Sequence, residues 1–532
     1  MKSISVLDCT LRDGGYCNDC KFGFENEKTI VNGLIDANIN IIECGFYRDS
    51  IKYDKERTRF TTLDEVAQII PANRKGKTFV VLADYGRFDP NALPEYDGTS
   101  VDGFRVAFHK KDRIAGLEAC KIVKEKGYKV FVQPMVAVNY SDAEYLDLIN
   151  GVNEIEPCAF YIVDSFGMMK KKDLTRLFYI VEHNLKETVK VGFHSHNNLQ
   201  LAYSNATALT NIPSDRSLII DSSIYGMGRG AGNLNTELFI QYLNDNFNGK
   251  FEIRPLLTLM DEIINNFYQM NPWGYSLPNY LSAEHVAHPN YAIYLDNKKT
   301  LTVSAMNEIF DRMDPEKKIS YDKDYIEKLY LDYMETGKLN EEALGEIKEK
   351  IAGKKILVIA PGNSSKVEAD KIIEFAKLDD VISISINFDY SYFKTDYIFL
   401  SNLRRYRELN PSNYSRCIVT SNVPSDHMLL QTDYKKLTND VDAVRDNAGM
   451  MLIRFLLNLG CKDIYLAGID GYSTDYDNNY VDERYTVVTP KAVLELMNSG
   501  IEKILEEYSK QANIQFLTQP RYVHINNRGK KS

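Results

Sequence analysis

The sequence predicts an α/β protein: a (β/α)8 TIM barrel with a helical extension, followed by a second, Rossmann-like α/β domain. Three observations predict it. Short β-rich runs alternate with helical stretches eight times between residue 4 and about residue 226. Several of these runs are almost continuously apolar, as parallel strands covered on both faces are. A new strand, glycine turn and helix then begin at Lys354.

In chain order, the eight strands are expected at Ile4–Leu11, Ile39–Phe46, Thr78–Asp84, Gly103–His109, Lys129–Ala137, Ala159–Ser165, Lys190–His196 and Leu218–Gly226. Between them, stretches such as Glu118–Lys126 and Asp173–Asn184 carry helical periodicity. Residues 1–250 would form the barrel. Residues 251–350 read as mostly helical, most clearly at Arg254–Gln269 and Asp324–Met334, with a charged joining run at Asn340–Lys355. Residues 351–532 would form the second domain. There Lys355–Ala360 reads as a strand, Pro361–Ser365 as a turn, Val367–Ala376 as a helix, Ala448–Asn458 as a buried helix and Asp463–Ala467 as a strand.

Of the 532 residues, 44% are hydrophobic and 26% charged, the composition of a globular protein able to bury large cores. The formal charge of −10 argues against nonspecific binding to nucleic acid or to an anionic membrane. No apolar run is long enough to span a bilayer, and Met1-Lys2-Ser3-Ile4 runs straight into a strand without a signal-peptide layout, so a cytoplasmic protein is expected. The eight cysteines are scattered, and Cys17-Asn18-Asp19-Cys20 has no second pair to complete a zinc site; reduced thiols are expected.

Catalytic groups of a TIM barrel sit at the C-terminal ends of its strands. The polar residues there are Arg12 and Asp13 after the first strand, Glu43 on the second, Asp164 and Ser165 ending the sixth, His194 and His196 on the seventh, and Asp221 on the eighth. His194 and His196 are two apart on a strand and share a face. With a carboxylate from the first strand they make a two-His, one-carboxylate set that leaves positions open for substrate.

Asp8-Cys9-Thr10-Leu11-Arg12-Asp13-Gly14-Gly15, Gly192-Phe193-His194-Ser195-His196-Asn197-Asn198 and Gly228-Arg229-Gly230-Ala231-Gly232-Asn233 together resemble the HMG-CoA-lyase-like (DRE-TIM) metalloenzymes. That superfamily includes 4-hydroxy-2-oxovalerate aldolase, HMG-CoA lyase, isopropylmalate and homocitrate synthases, and biotin-dependent carboxyltransferase domains. The resemblance implies Asp13, His194 and His196 as metal ligands, with Asn233 approaching the metal. It implies that Arg12 stabilises an enolate oxygen, that Glu43 holds the arginine or the first-strand loop, and that Ser165 contacts substrate. The metal would be Mn²⁺ or Mg²⁺, with Zn²⁺ as the other option.

The departures narrow the branch. The synthases read Arg-Asp-Gly-Glu-Gln where this chain has Arg12-Asp13-Gly14-Gly15-Tyr16. The carboxyltransferases need a lysine near Ser165, and the lyases a cysteine in the glycine loop; neither is here. The aldolases remain, but they carry a histidine for proton transfer where this chain has Tyr16. Tyr16, His109, His288 and Tyr291 are the candidates for that work.

In the second domain, Ala360-Pro361-Gly362-Asn363-Ser364-Ser365 is a strand–turn–helix junction that can hold phosphate but is no P-loop. With Asn387, Asn447-Ala448-Gly449 and Gly468-Ile469-Asp470, it distantly resembles the bacterial sialyltransferase fold. That resemblance implies a nucleotide-sugar site at Gly362, Asn363, Ser364 and Asn387; the one histidine after Asp470 is His524, far downstream.

The expected function is a metal-dependent aldolase that cleaves or forms a 4-hydroxy-2-oxo acid through a pyruvate enolate. Its expected partners are a 2-oxo acid, an aldehyde and, in the second domain, a nucleotide sugar, with a homodimer as the expected assembly. Two rivals stand: an acyl-CoA-dependent Claisen enzyme on the same barrel, and a nucleotide-sugar transferase or binding protein whose barrel only scaffolds.

Overall fold

The computed structural model describes residues 3–298, 301–334, 340–423, 427–474, 479–482 and 491–521; His524 lies outside them. The chain divides into two units, residues 1–293 with 314–321, and residues 294–313 with 322–532. The helices that follow residue 250 are therefore divided between the two.

The first unit is a closed parallel barrel. Its strands are β1 (Ile4–Asp8), β2 (Ile41–Tyr47), β4 (Thr78–Asp84), β5 (Gly103–Phe108), β6 (Lys129–Pro134), β7 (Ala159–Asp164), β8 (Lys190–Ser195) and β9 (Leu218–Ser222), with a short β3 (Arg59–Phe60) beside β2. Pairing of β1 with both β2 and β9 closes the ring. Alternation sorts the side chains. Val6, Ile42, Phe79 and Val81 pack outward with the helices, while Leu7, Ile41, Val80, Phe131, Tyr161 and Ile219 fill the interior.

The strands lie where the apolar runs predict them, but several end earlier. The first is the informative case. The chain leaves β1 at Cys9, whose carbonyl accepts from the amides of Arg12 (3.1 Å) and Asp13 (2.8 Å). This tight turn buries Arg12 and Asp13 instead of continuing the strand. The stretch Arg254–Gln269 is helical throughout, with a π-helical segment at Met260–Ile264. The charged run after Asn340 is also a helix, Glu341–Ile351, burying Ala343, Ile347 and Ile351 at four-residue spacing.

One buried acid in the barrel is a liability. Glu27, on the helix Phe24–Asp36, is 1% exposed, and neither carboxylate oxygen has a partner. Burial, reinforced by Glu56 and Asp54, pushes its pKa up to about 8. The folded protein then binds this proton more tightly than the unfolded chain does. Stability from the neutral acid is complete below pH 4.5 and is lost as pH rises through 8. Glu27→Gln is expected to raise the melting temperature at pH 8.5 and leave it nearly unchanged at pH 4.5. Equal melting of the two proteins at both pH values would refute this account.

The second unit is a seven-stranded parallel sheet of β10 (Lys355–Ile359), β11 (Val381–Ile386), β12 (Tyr397–Leu400), β13 (Cys417–Thr420), β14 (Leu430–Thr432), β15 (Asp463–Ala467) and β16 (Asn513–Phe516). Its order is β14-β13-β12-β11-β10-β15-β16. From β10 the chain runs outward through β11 to β14, then returns to β15 on the other side of β10. The β10/β15 boundary is thus the topological switch point, where open α/β sheets bind ligands. The helix Ala448–Asn458 is buried, and Asn447 caps it by accepting from the amides of Gly449 (3.0 Å) and Met450 (3.2 Å). Among the described residues, no helix is long and apolar enough to cross a membrane.

Candidate metal centre and active site

Asp13, His194 and His196 converge: each offers one ligand atom, and all three atoms lie within 4.8 Å of one another. The turn after β1 presents Asp13, and alternation on β8 puts both imidazoles on one face. His194 Nδ1 lies 3.0 Å from Asp221 Oδ2, a contact that orients the ring and leaves Nε2 for a ligand. His196 Nδ1 lies 3.7 Å from Asp13 Oδ2 and has no hydrogen-bond partner although it is buried. Burial lowers the His196 pKa to about 3, so the ring is neutral, as a ligand must be. Burial alone would raise the pKa of Asp13, but Arg12 and the two imidazoles hold it well below the usual carboxylate range.

Asn233 joins this group. A single antiparallel bridge sets it against His196. Its Nδ2 donates to Asp13 Oδ2 (2.8 Å) and to the Met227 carbonyl (3.1 Å), while its Oδ1 is buried without a partner. Two orphaned, buried electron-pair donors beside a carboxylate and a second imidazole fit a divalent cation. Gly228 makes the close packing possible, since a Cβ there would meet both Asn233 Nδ2 and Asp13 Oδ2.

Arg12 donates through Nε to Glu43 Oε2 (2.8 Å) and through Nη1 to Asp13. Glu43 thus fixes the guanidinium, and among the described residues Nη2 makes no hydrogen bond. Ser165 Oγ accepts from the amide of Val136 (2.9 Å), a β-branched residue held at φ +54°. The Ser165 carbonyl accepts from Arg229 Nη2 (2.9 Å).

The candidates for proton transfer separate. Tyr16 is about half exposed, edge-on to Phe46, with the Arg229 guanidinium 5.5 Å from its ring centre. Desolvation on its protein side raises its phenol pKa. A phenol so held donates hydrogen bonds at neutral pH and is a poor base. His109 and His288 both feel the charge of Arg229 and are neutral through burial, His288 with a pKa lowered to about 3. His288 also packs against Phe166, beside Ser165. Tyr291 is fully buried, and its hydroxyl lies 2.8 and 2.7 Å from the carbonyls of Lys317 and Ser320, so its O–H donates to the backbone.

Sequence reasoning missed Arg105 as a site residue and used Asp221 only as a strand-end marker. Both are completely buried on the interior faces of β5 and β9, and they form an ion pair. Arg105 is the one charge within the apolar run Gly103–Phe108, and that was the available signal.

In the second unit, a cavity of 460 Å³ opens at the switch point. Gly362, Asn387, Asn402, Arg404, Arg405 and Asn447 are among the residues that line it. Gly362 is required by packing, because a Cβ would meet the Gly468 carbonyl and the Asp470 carboxylate. Asn387 adopts φ +60°. Ser364 is occupied otherwise: its amide (2.8 Å) and hydroxyl both bind Asp470, and the hydroxyl also meets Thr518 Oγ1 at 2.7 Å. Asn363 starts the short helix Ser364–Val367.

Residues 110–253 match the HMGL-like family model. A 4-hydroxy-2-oxovalerate aldolase from Geobacillus genomosp. 3 is 28% identical over 247 residues, 46% of this chain and 71% of the relative. The enzyme of the same name from Geobacillus thermodenitrificans is 24% identical over 277 residues, 51% of this chain and 78% of the relative. Among solved structures, an N-terminal domain assigned as an aldolase, from Bacteroides vulgatus, shares 26% identity with a TM-score of 0.49, covering 56% of this chain and 98% of that one. Residues 110–253 thus carry an HMGL-like domain, and that domain together with the aldolase relatives points to a carbon–carbon lyase.

Proposed function

We propose that the barrel is a divalent-metal-dependent pyruvate aldolase that cleaves or forms a 4-hydroxy-2-oxo acid. The observation that carries this reading is the convergence of Asp13, His194 and His196 beside Arg12, in a barrel whose relatives are 4-hydroxy-2-oxovalerate aldolases. A divalent ion held there, Mn²⁺ or Mg²⁺ before Zn²⁺, would draw electron density from the 2-oxo acid. Arg12 would place its free Nη2 on the oxygen where enolate charge develops. Ser165, still able to donate its hydroxyl proton, would orient the substrate carboxylate. Tyr16 would donate a hydrogen bond at the aldehyde end. His109, neutral at working pH, would take the 4-hydroxyl proton; His288, its pKa lowered to about 3, is too weak a base for that step.

The test is pyruvate release from a panel of 4-hydroxy-2-oxo acids with Mn²⁺, before and after treatment with a chelator. Pyruvate is expected with at least one substrate, falling to background on chelation and returning with Mn²⁺. Absence of pyruvate from a metal-loaded protein would overturn the aldolase reading, and chelator-resistant activity would overturn the metal.

For the second unit we propose a nucleotide-sugar site, the aldehyde partner then being carbohydrate-like. The cavity at the switch point favours it, with Arg404 on its lining to meet phosphates and asparagines to meet polar edges. Millimolar CDP- or UDP-sugars are expected to raise the melting temperature of the full chain, and Asn447→Ala with Arg404→Ala to remove the rise. No shift with any nucleotide or nucleotide sugar would end this reading.

A further inference from the structure

The barrel interior holds a chain of charges that connects two of the three candidate ligands. Asp13 pairs with Arg12, Arg12 with Glu43, Glu43 with Arg105, Arg105 with Asp221, and Asp221 with His194. Arg105 is its middle member. It is 0% exposed, its Nη1 lies 2.8 Å from Glu43 Oε2, and its Nη2 pairs with Asp221 Oδ2. Its guanidinium sits 4.9 Å from the centre of the Tyr161 ring. With its amide oxygen turned toward the guanidinium, Gln133 accepts from Nη2 (3.1 Å) and Nε (3.2 Å).

Both carboxylates that Arg105 grips have a second duty through the same oxygen. Glu43 Oε2 also holds Arg12 Nε, and Asp221 Oδ2 also meets His194 Nδ1. A planar guanidinium can hold two carboxylates at a fixed separation, whereas an ammonium is a point charge. We infer that Arg105 is a positioning residue of the metal centre, setting through Asp221 the ring orientation of His194 and through Glu43 the guanidinium of Arg12. The inference rests on the metal-centre reading above. Arg105 touches neither ligand itself; it acts by fixing the partners of His194 and Arg12.

The test uses the full chain and Mn²⁺ alone. The dissociation constant is measured by titration calorimetry for wild type and Arg105→Lys, together with the melting temperature of each without metal. Arg105→Lys keeps a positive charge between the two acids. It is expected to weaken Mn²⁺ binding about tenfold, the lower end of what losing a ligand's own partner costs, because Arg105 acts one contact further out. A purely structural role would lower the melting temperature and leave the affinity of the folded protein alone. Unchanged affinity in folded Arg105→Lys overturns the inference while leaving the metal centre standing. Failure of wild type to bind Mn²⁺ overturns both. If Arg105→Lys does not fold, Asp221→Asn decides. It keeps an acceptor for His194 Nδ1 but loses the charge pair with Arg105, and an unchanged affinity there also overturns the inference.

Discussion

His194→Ala is expected to lower pyruvate release about a thousandfold and to cost the protein its bound Mn²⁺. A metal's contribution to stabilising an enolate is several kcal/mol, and each 1.36 kcal/mol is tenfold in rate. The variant leaves Asp13 and His196 as the remaining pair. It should still fold, because Asp221, which loses the His194 contact, keeps Arg105 as its counter-charge. Removing the last partner of a buried charge is the costly event, and that does not happen here. Metal content of the purified variant and its turnover on the best substrate check the expectation together. Turnover within tenfold of wild type would mean that the chemistry lies elsewhere.

Arg12→Lys carries the second largest effect. An ammonium cannot reproduce the fork that meets Glu43 through Nε and Asp13 through Nη1 and still leaves Nη2 free. A cation placed where negative charge develops is worth about a hundred- to a thousandfold in turnover. The loss is expected in kcat, with KM changed far less, since the interaction is made with charge that appears only in the transition state. Steady-state kinetics on the same substrate separates the cases. A rise in KM at constant kcat would make Arg12 a binding residue for the ground state.

How far the sequence carried the site depended on whether each residue's role was local. Asp13 was legible because a polar Leu-Arg-Asp-Gly-Gly ends an apolar strand, and the two histidines because a spacing of two on a strand forces a common face. The barrel strands were legible because runs buried on both faces are apolar along their length. Arg105 was not, because its partners Glu43 and Asp221 lie 62 residues before it and 116 residues after it, and nothing local to β5 calls for a charge. The helix Glu341–Ile351 was hidden differently. Its apolar period is present at Ala343, Ile347 and Ile351, but acids and lysines crowd the positions between. Tyr291 has the residue type that its resemblance calls for, and only the fold discloses that its hydroxyl faces backbone carbonyls.

The ionic chain inside the barrel also bears on durability. Three carboxylates and two guanidiniums have been taken out of water in the layer where most barrels would stack leucine, isoleucine and valine. Exchanging a buried ionic cluster for well-fitted hydrocarbon is often neutral or gains about 1–4 kcal/mol. A barrel with Glu43, Arg105 and Asp221 replaced together by packed apolar residues could therefore outlast the natural one under heat while losing the orientation of Arg12 and His194. Selection for thermal endurance alone would erode this layer first, and a long-lived variant of this enzyme is better sought in its outer helices.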